Sequence, residues 1–313
     1  ADQLGKVMNM MSASLGVDCK FCHASNDGDF EKEGFEHKDA ARDMLTMMFD
    51  LNKKYFKGRP EVNCNTCHQG ISHPQPSFPL QSSPQPERAK RLKQPVPVED
   101  VLAKYENAIG GKANLAKITS RQITAKRIEP NGTTFENETV FQSGNKMAVS
   151  TTYTSEEYGD YVIHEVYDGV KAAKFGGTKE LHVKADELEQ IKREAQILSG
   201  ADLNSVYQKM DVRAIDKIDG REVYVVTANV DEKNRERLYF DVENGLLVRR
   251  IAFTPTVLGN FQFQIDYSDY KDFGGVKLPT SIKFAVPHIS WTRKILDVKN
   301  NVRIDDAKFS TSE

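Results

Sequence analysis

Residues 4–23 read LGKVMNMMSASLGVDCKFCH, and residues 64–68 read CNTCH. Both stretches end on C-x-x-C-H: Cys19, Cys22 and His23 in the first, Cys64, Cys67 and His68 in the second. That pattern is the attachment signature of c-type haem. Two thiols add across the two vinyl groups of one haem, so two residues must separate them. The adjacent His then falls beneath the iron as its proximal ligand. The two motifs use all four Cys of the chain. A structural zinc held by two C-x-x-C pairs needs no His after each second Cys. A redox-active C-x-x-C sits on a thioredoxin-like βαβ unit, and no βαβ pattern surrounds either stretch. The expectation is two covalently attached c-type haems, with the four Cys as anchors and His23 and His68 as proximal ligands.

Working outward, six of the eight Met lie in the first 48 residues. Residues 4–15 have helical spacing, with Met8, Met11 and Leu15 on one face. Residues 38–56 (KDAARDMLTMMFDLNKKYF) have it too, with Met44, Met48, Leu51 and Tyr55 in one stripe and Met47 at its border. Each Met cluster precedes its own C-x-x-C-H. Most of these side chains fill gaps in a small core. A haem iron also takes a sixth ligand, and a thioether there favours ferrous iron and raises the potential. His37 and His73 are two further candidates for a distal ligand or for a ligand donated to a neighbouring chain, but in polar surroundings they read first as solvated.

Seven of the twelve Pro (74, 76, 79, 84, 86, 95 and 97) fall in the next stretch, which holds neither helix nor central strand at that density. Polyproline II is its natural state. Its basic cluster, residues 88–93, reads as a solvated run or as a contact for haem propionates or an acidic partner. Beyond it, residues 98–109 form one amphipathic helix stopped by Gly110-Gly111. Apolar alternation follows at 123–128, 221–230, 261–267 and 289–298, divided by turn pairs such as Asn131-Gly132, Asp219-Gly220 and Gly274-Gly275. About ten strands in hairpin order are expected, with one helical insert near 183–197. No G-x-S-x-G, H-E-x-x-H or P-loop occurs.

The chain therefore divides into a domain over 1–73, a linker over 74–97 and a body over 98–313. A polar, Pro-rich linker implies that the two domains are separable. A net charge of -2 argues against a nucleic-acid partner. No run of 18 apolar residues provides a transmembrane helix. The opening ADQLGKVMNM has no apolar leader, as expected of an exported chain after its leader is removed.

The segments VMNMMSASLGVDCKFCH, FEHKDAARDMLTMMFDLNKKYF and VNCNTCHQG resemble the c-type cytochrome subunit of photosynthetic reaction centres and its non-photosynthetic diheme relatives. The resemblance implies that each haem unit is a helix, a turn and C-x-x-C-H, with a Met on the helix capping the iron. Carried onto this sequence, the distal ligand of the first haem is Met8. That of the second is Met44, with Met47 as its competitor. The resemblance also implies maturation outside the cytoplasm. In the body, YDG at 167–169, LYFD at 238–241, GLLV at 245–248 and DYKDFGGVKLP at 269–279 resemble the LolA-like periplasmic lipoprotein carriers. That likeness implies a curved, open antiparallel half-barrel over helices, with a concave face that holds acyl chains.

Together these readings make an α+β protein of two domains: a small α-helical diheme head, a Pro-rich linker and a curved antiparallel body with a few helices. The function they imply is periplasmic or extracellular electron transfer between redox donor and acceptor proteins, with no enzymatic activity. Three other readings stand beside it. One is self-association into an oligomer or a filament that conducts through stacked haems. The second is a carrier of lipid or lipoprotein, and the third is a diheme peroxidase.

Overall fold

A computed structural model describes residues 3–23, 30–74, 89–92, 94–155, 159–177, 179–183, 188, 191–192, 194–195, 202–231 and 234–311. The helices are α1 Leu4–Leu15, α2 Glu36–Phe56, α3 Cys64–His68, α4 Val98–Ala108, α5 Lys112–Leu115 and α6 Leu203–Val206. The strands are β1 Lys90–Arg91, β2 Ser120–Ile128, β3 Thr134–Ser143, β4 Lys146–Ser155, β5 Gly159–Tyr167, β6 Ala172–Gly176 and β7 Lys179–Leu181. They continue as β8 Lys209–Ile218, β9 Arg221–Asn229, β10 Arg235–Asp241, β11 Leu247–Thr256, β12 Gly259–Asp272, β13 Lys277–Ala285 and β14 Ser290–Asn300. The architecture is a large antiparallel sheet with few helices.

Among the described residues the sheet has fourteen strands in the order β1-β8-β9-β10-β11-β12-β13-β14-β2-β3-β4-β5-β6-β7. This corrects the expectation of one simple meander of about ten. Two meanders, β2 to β7 and β8 to β14, are joined by an antiparallel ladder that sets Val298 opposite Ile123 and Asn300 opposite Arg121. The join is fixed at its end. Asn301 Oδ1 accepts from Thr119 N at 2.9 Å, Asn301 N donates to Ser120 O at 2.8 Å, and Ser120 Oγ donates to Val302 O at 2.6 Å. The hairpin turns fall where the sequence signals them. Asp219 and Gly220 both have positive φ (49° and 80°), the requirement of a two-residue hairpin loop between β8 and β9. Two residues of the expected linker, Lys90 and Arg91, form the edge strand against β8, opposite Ile215 and Ala214. Residues 75–88 and 93, and most of the expected insert over 183–197, lie outside the described residues.

The chain forms two compact units. The larger comprises residues 88–252, 264–284 and 290–313. Its main core packs Val101 and Tyr105 of α4 and Ile109 just after it with Leu115, Leu203 and Tyr207 against Val226, Ala228, Leu238 and Phe240 of the sheet. Gly110 ends α4 because nothing larger fits. Its φ is +125°, and a Cβ there would lie 2.2 Å from the Gly275 carbonyl oxygen. Within this unit Arg250 grips both carboxylate oxygens of buried Glu236, at 2.7 and 3.1 Å, and the Tyr207 hydroxyl donates to the same carboxylate. A second core packs Val140, Met147 and Tyr167 under Ile191 and Ala195. The single Trp, Trp291, stacks on Phe284 at 5.2 Å, with the Arg127 guanidinium 4.8 Å from its ring.

The smaller unit comprises residues 1–87 together with 253–263 and 285–289. Helix α1 occupies the expected residues 4–15 and stops at Gly16 in the left-handed conformation. Helix α2 begins two residues before the expected 38. Phe35 is extended, and Glu36 and Asp39 place negative charge in the first turn, where the helix dipole favours it. Its core is small. Val7, Met48 and Leu258 are buried, with Met8, Met10, Met11, Leu45, Val62 and Cys64 packed around them. Leu258 comes from the turn between β11 and β12.

Candidate functional site

The first C-x-x-C-H follows α1 directly. Cys19–Phe21 form a 3-10 turn capped by Asp18, whose carboxylate accepts from Lys20 N at 3.0 Å. His23 N donates to Cys19 O at 3.0 Å, so both thiols and the imidazole share one tight turn. In the second motif Cys64–His68 are themselves one helical turn, α3. Its start is a capping box in which Asn63 and Thr66 satisfy each other's backbone N–H. All four Cys are free thiols. Burial pushes the Cys22 and Cys64 thiols up from their ordinary range.

The two imidazoles are oriented in the same way. His23 Nδ1 lies 3.1 Å from Phe30 O, and His68 Nδ1 lies 3.0 Å from Ile71 O. A carbonyl can only accept, so Nδ1 carries the proton in each ring and Nε2 is left as the lone-pair nitrogen. A metal-ligating His is commonly prepared in this way. The Phe30 carbonyl is itself held, because Lys38 Nζ donates to the carbonyls of Phe30, Glu31 and Lys32 at 3.2, 3.1 and 2.8 Å. Glu33 joins Lys38 at 3.1 Å and Arg42 at 2.6 Å. The hydrogen bonds from Arg42 and Lys38 hold its carboxyl down at about 2.

Two devices tie the motifs to the helices. Asn52 is buried on α2. Its Nδ2 donates to Val62 O at 2.7 Å, and its Oδ1 accepts from Val62 N at 3.0 Å. The amide thus mimics a strand neighbour and pins the segment that leads into Cys64. At the other end Gly70 N donates to Ser14 O at 2.8 Å, which clasps the end of α1 to the residues after His68.

The methionines fall into distinct environments. Met8 is half-buried around the core of the smaller unit, in the same cluster as Cys64. Met48 is buried beside Val7 and Leu258. Met10 Sδ lies 3.5 Å from Thr256 Oγ1. Met44 and Met47 are 47% and 49% exposed. Met47 lines an open groove of about 500 Å³ on α2 with Asp43, Thr46, Asp50, Leu51, Lys54 and Tyr55, and Met44 is not among those lining residues. His37 is exposed, as expected, and its ring stacks on Phe21 of the first motif at 4.1 Å. His73 Nδ1 lies 3.2 Å from Ser72 Oγ.

Sequence reasoning missed the turn at 256–259. Leu258 is 1% exposed. Thr256 Oγ1 donates to Gly259 O at 2.7 Å as well as contacting Met10. His288 N donates to Asn9 Oδ1 at 3.1 Å. The one signal was an apolar pair, Val257-Leu258, at a hairpin tip where polar residues are usual. Among the described residues no three His, Cys, Asp or Glu side chains cluster to hold a metal ion. No described helix is long and apolar enough to cross a membrane. The donors present suit a haem: each motif offers two free thiols beside an imidazole whose Nε2 is unspent.

No protein-family model matches the chain. A cytochrome c-554 of Chloroflexus aurantiacus is 36% identical to it over 63 residues, which is 18% of this chain and 15% of that protein. Among solved structures, a LolA superfamily protein from Nitrosomonas europaea is similar at 15% identity and a TM-score of 0.44, over 69% of this chain and 98% of that one. A putative outer membrane lipoprotein-sorting protein domain from Vibrio parahaemolyticus is similar at 10% identity and a TM-score of 0.44, over 68% of this chain and 94% of that one. A DUF1329 family protein from Desulfovibrio piger is similar at 11% identity and a TM-score of 0.40, over 68% of this chain and 97% of that one.

Proposed function

We propose that this protein carries two covalently attached c-type haems and transfers electrons in the periplasm or outside the cell, without enzymatic activity. The observation that carries the reading is the shared preparation of His23 and His68. Each imidazole commits Nδ1 to a backbone carbonyl next to two free thiols. When bound, the haem iron supplies one-electron exchange. The protein's part is to anchor, orient and exclude water. Cys19 and Cys22 would hold the first group and Cys64 and Cys67 the second, while His23 and His68 would offer Nε2 to the iron. Met8 is the proposed distal ligand of the first iron. Met44 is that of the second, with Met47 beside it on α2. The test is haem staining in a denaturing gel. Stain should stay on the chain, fall by half in Cys22→Ser or Cys67→Ser, and vanish in the double variant. Full staining of the double variant contradicts the reading.

A carrier of lipid or lipoprotein is the second reading, and the comparisons stand nearer to it than to electron transfer. Two of the similar solved structures are described as a LolA superfamily protein and a lipoprotein-sorting domain, whereas the cytochrome match spans 63 residues. Organic extraction of the purified protein separates the two. Stoichiometric lipid with no haem supports the carrier, and haem with no lipid supports electron transfer.

A further inference from the structure

His23 and His68 make the same hydrogen bond, and the two bonds differ in what stands behind the acceptor. His23 Nδ1 reaches Phe30 O at 3.1 Å, and His68 Nδ1 reaches Ile71 O at 3.0 Å. Phe30 O also accepts from Lys38 Nζ at 3.2 Å. One loop cradles that ammonium. It donates to Glu31 O at 3.1 Å and to Lys32 O at 2.8 Å, and pairs with Glu33 Oε1 at 3.1 Å. The Lys38 side chain is 12% exposed, so water screens the contact weakly. Arg42 joins both Glu33 and Asp39, which completes a cluster of two cations and two carboxylates. Ile71 O has no such neighbour: among the described residues no Lys or Arg donates to it. An Nδ1–H bonded to a good acceptor makes Nε2 a stronger donor to a metal. A carbonyl oxygen has two lone pairs. A cation on one of them draws electron density from the oxygen, so the other accepts the His23 proton less strongly. Nε2 is then a weaker donor, which favours ferrous iron over ferric. The ammonium charge acts in the same sense, because ferric iron carries one more positive charge. Glu33 offsets this Coulombic part and leaves the sharing of the carbonyl untouched.

We propose that Lys38 is a positioning residue that raises the potential of the first haem by sharing the Phe30 carbonyl with His23. The second motif lacks the device, so only one of the two haems is tuned by this route. The inference rests on the haem reading and adds to it a cause of unequal potentials.

Intact mass comes first: a chain without haem overturns both readings together, and a loaded chain lets the role of Lys38 fail by itself. A redox titration of the loaded full chain should show two one-electron steps. Lys38→Met should lower one step by roughly threefold or more in the ferrous-to-ferric ratio, about 30 mV for one electron, and leave the other in place. The reduced protein supplies a second readout, by proton magnetic resonance. The His23 Nδ1–H resonance should move downfield in Lys38→Met, as its bond to Phe30 O strengthens. A loop that merely loosens moves it upfield or loses it to exchange, and that result overturns the proposal. Unchanged potentials, or both steps falling together, overturn it as well. Should Lys38→Met fail to load, Lys38→Gln carries the comparison. It keeps a donor and drops the charge, and an unchanged potential in it overturns the proposal.

Discussion

Gly16 and Gly70 approach so closely that a Cβ on Gly16 would lie 2.0 Å from the Gly70 carbonyl oxygen. Gly16 closes the first helix at φ +67°, and Gly70 follows the second haem motif at φ +88°. Two segments more than fifty residues apart are thereby locked together, with the Gly70 N–H donating to Ser14 O at 2.8 Å. The two C-x-x-C-H units are one construction, and the glycine at 16 is a packing requirement as well as a helix stop.

Gly16→Ala should therefore destabilise the smaller unit by more than the roughly 1 kcal/mol of a left-handed non-glycine residue, because the methyl also strikes backbone. Gly5→Ala is the control, since a Cβ there meets nothing within 4 Å. Thermal melts of the two variants should separate clearly. Equal melting temperatures contradict the clasp.

Leu258 fills the space between Val7 and Met48, so Leu258→Ala should cost about 2–5 kcal/mol. Its second consequence revises the separability expected of a Pro-rich linker. Residues 253–263 cluster with the head rather than with the sheet's main core. A chain cut between residues 74 and 90 should keep its pieces together in native buffer and release them in denaturant. Leu258→Asp should let the cut pieces part without denaturant. Clean release of a red head from the cut wild-type chain contradicts this packing.

On the proposed reading the methionines divide into ligands and filling. Met8→Ala, and one of Met44→Ala or Met47→Ala, should each abolish a sulfur–iron charge-transfer band and lower one haem potential. Met48→Ala should leave both bands and cost about 2–5 kcal/mol instead. Near-infrared absorption with a redox titration reads both effects. If Met47→Ala loses the band that Met44→Ala keeps, the proposed second ligand is Met47, in line with its place in the α2 groove. If neither changes the spectrum, His37 or His73 becomes the leading candidate for the second iron.

Acid should loosen the loop that orients His23. The Glu33 carboxyl is held at about 2, below its ordinary 4.5, first by Arg42 and then by Lys38. A depressed carboxyl contributes its stability above the unfolded value and loses it as pH falls through the folded one. The contribution is complete above about 4.5 and gone below about 2. Hydrogen exchange of the 30–33 amides should accelerate across that window in the wild-type protein. In Glu33→Gln those amides should exchange faster at neutral pH and show a flatter acid dependence.

How much of this was legible from the chain alone depends on range. The α1 helix, the turn at Asp219-Gly220 and the stop at Gly110 are written in local spacing and in residues that permit positive φ, and they fall as expected. The C-x-x-C-H units are legible because the chemistry fixes their spacing. The β14–β2 join is not, because a ladder between residues 164 to 179 positions apart leaves no local trace until Asn301 meets Thr119. The carbonyl partners of His23 and His68 are local but were hidden for another reason: nothing in Phe30 or Ile71 marks a backbone oxygen as an acceptor. The 256–259 turn carried a faint mark, an apolar pair at a tip, which reads equally well as ordinary surface.

The central claim is two covalent haems on His23 and His68. Intact mass under denaturing conditions, on protein exported by a host with c-type maturation machinery, tests it most directly. The account predicts the chain mass plus two haems, and plus one haem in a Cys19→Ser, Cys22→Ser variant. A bare chain with four alkylatable thiols would contradict it.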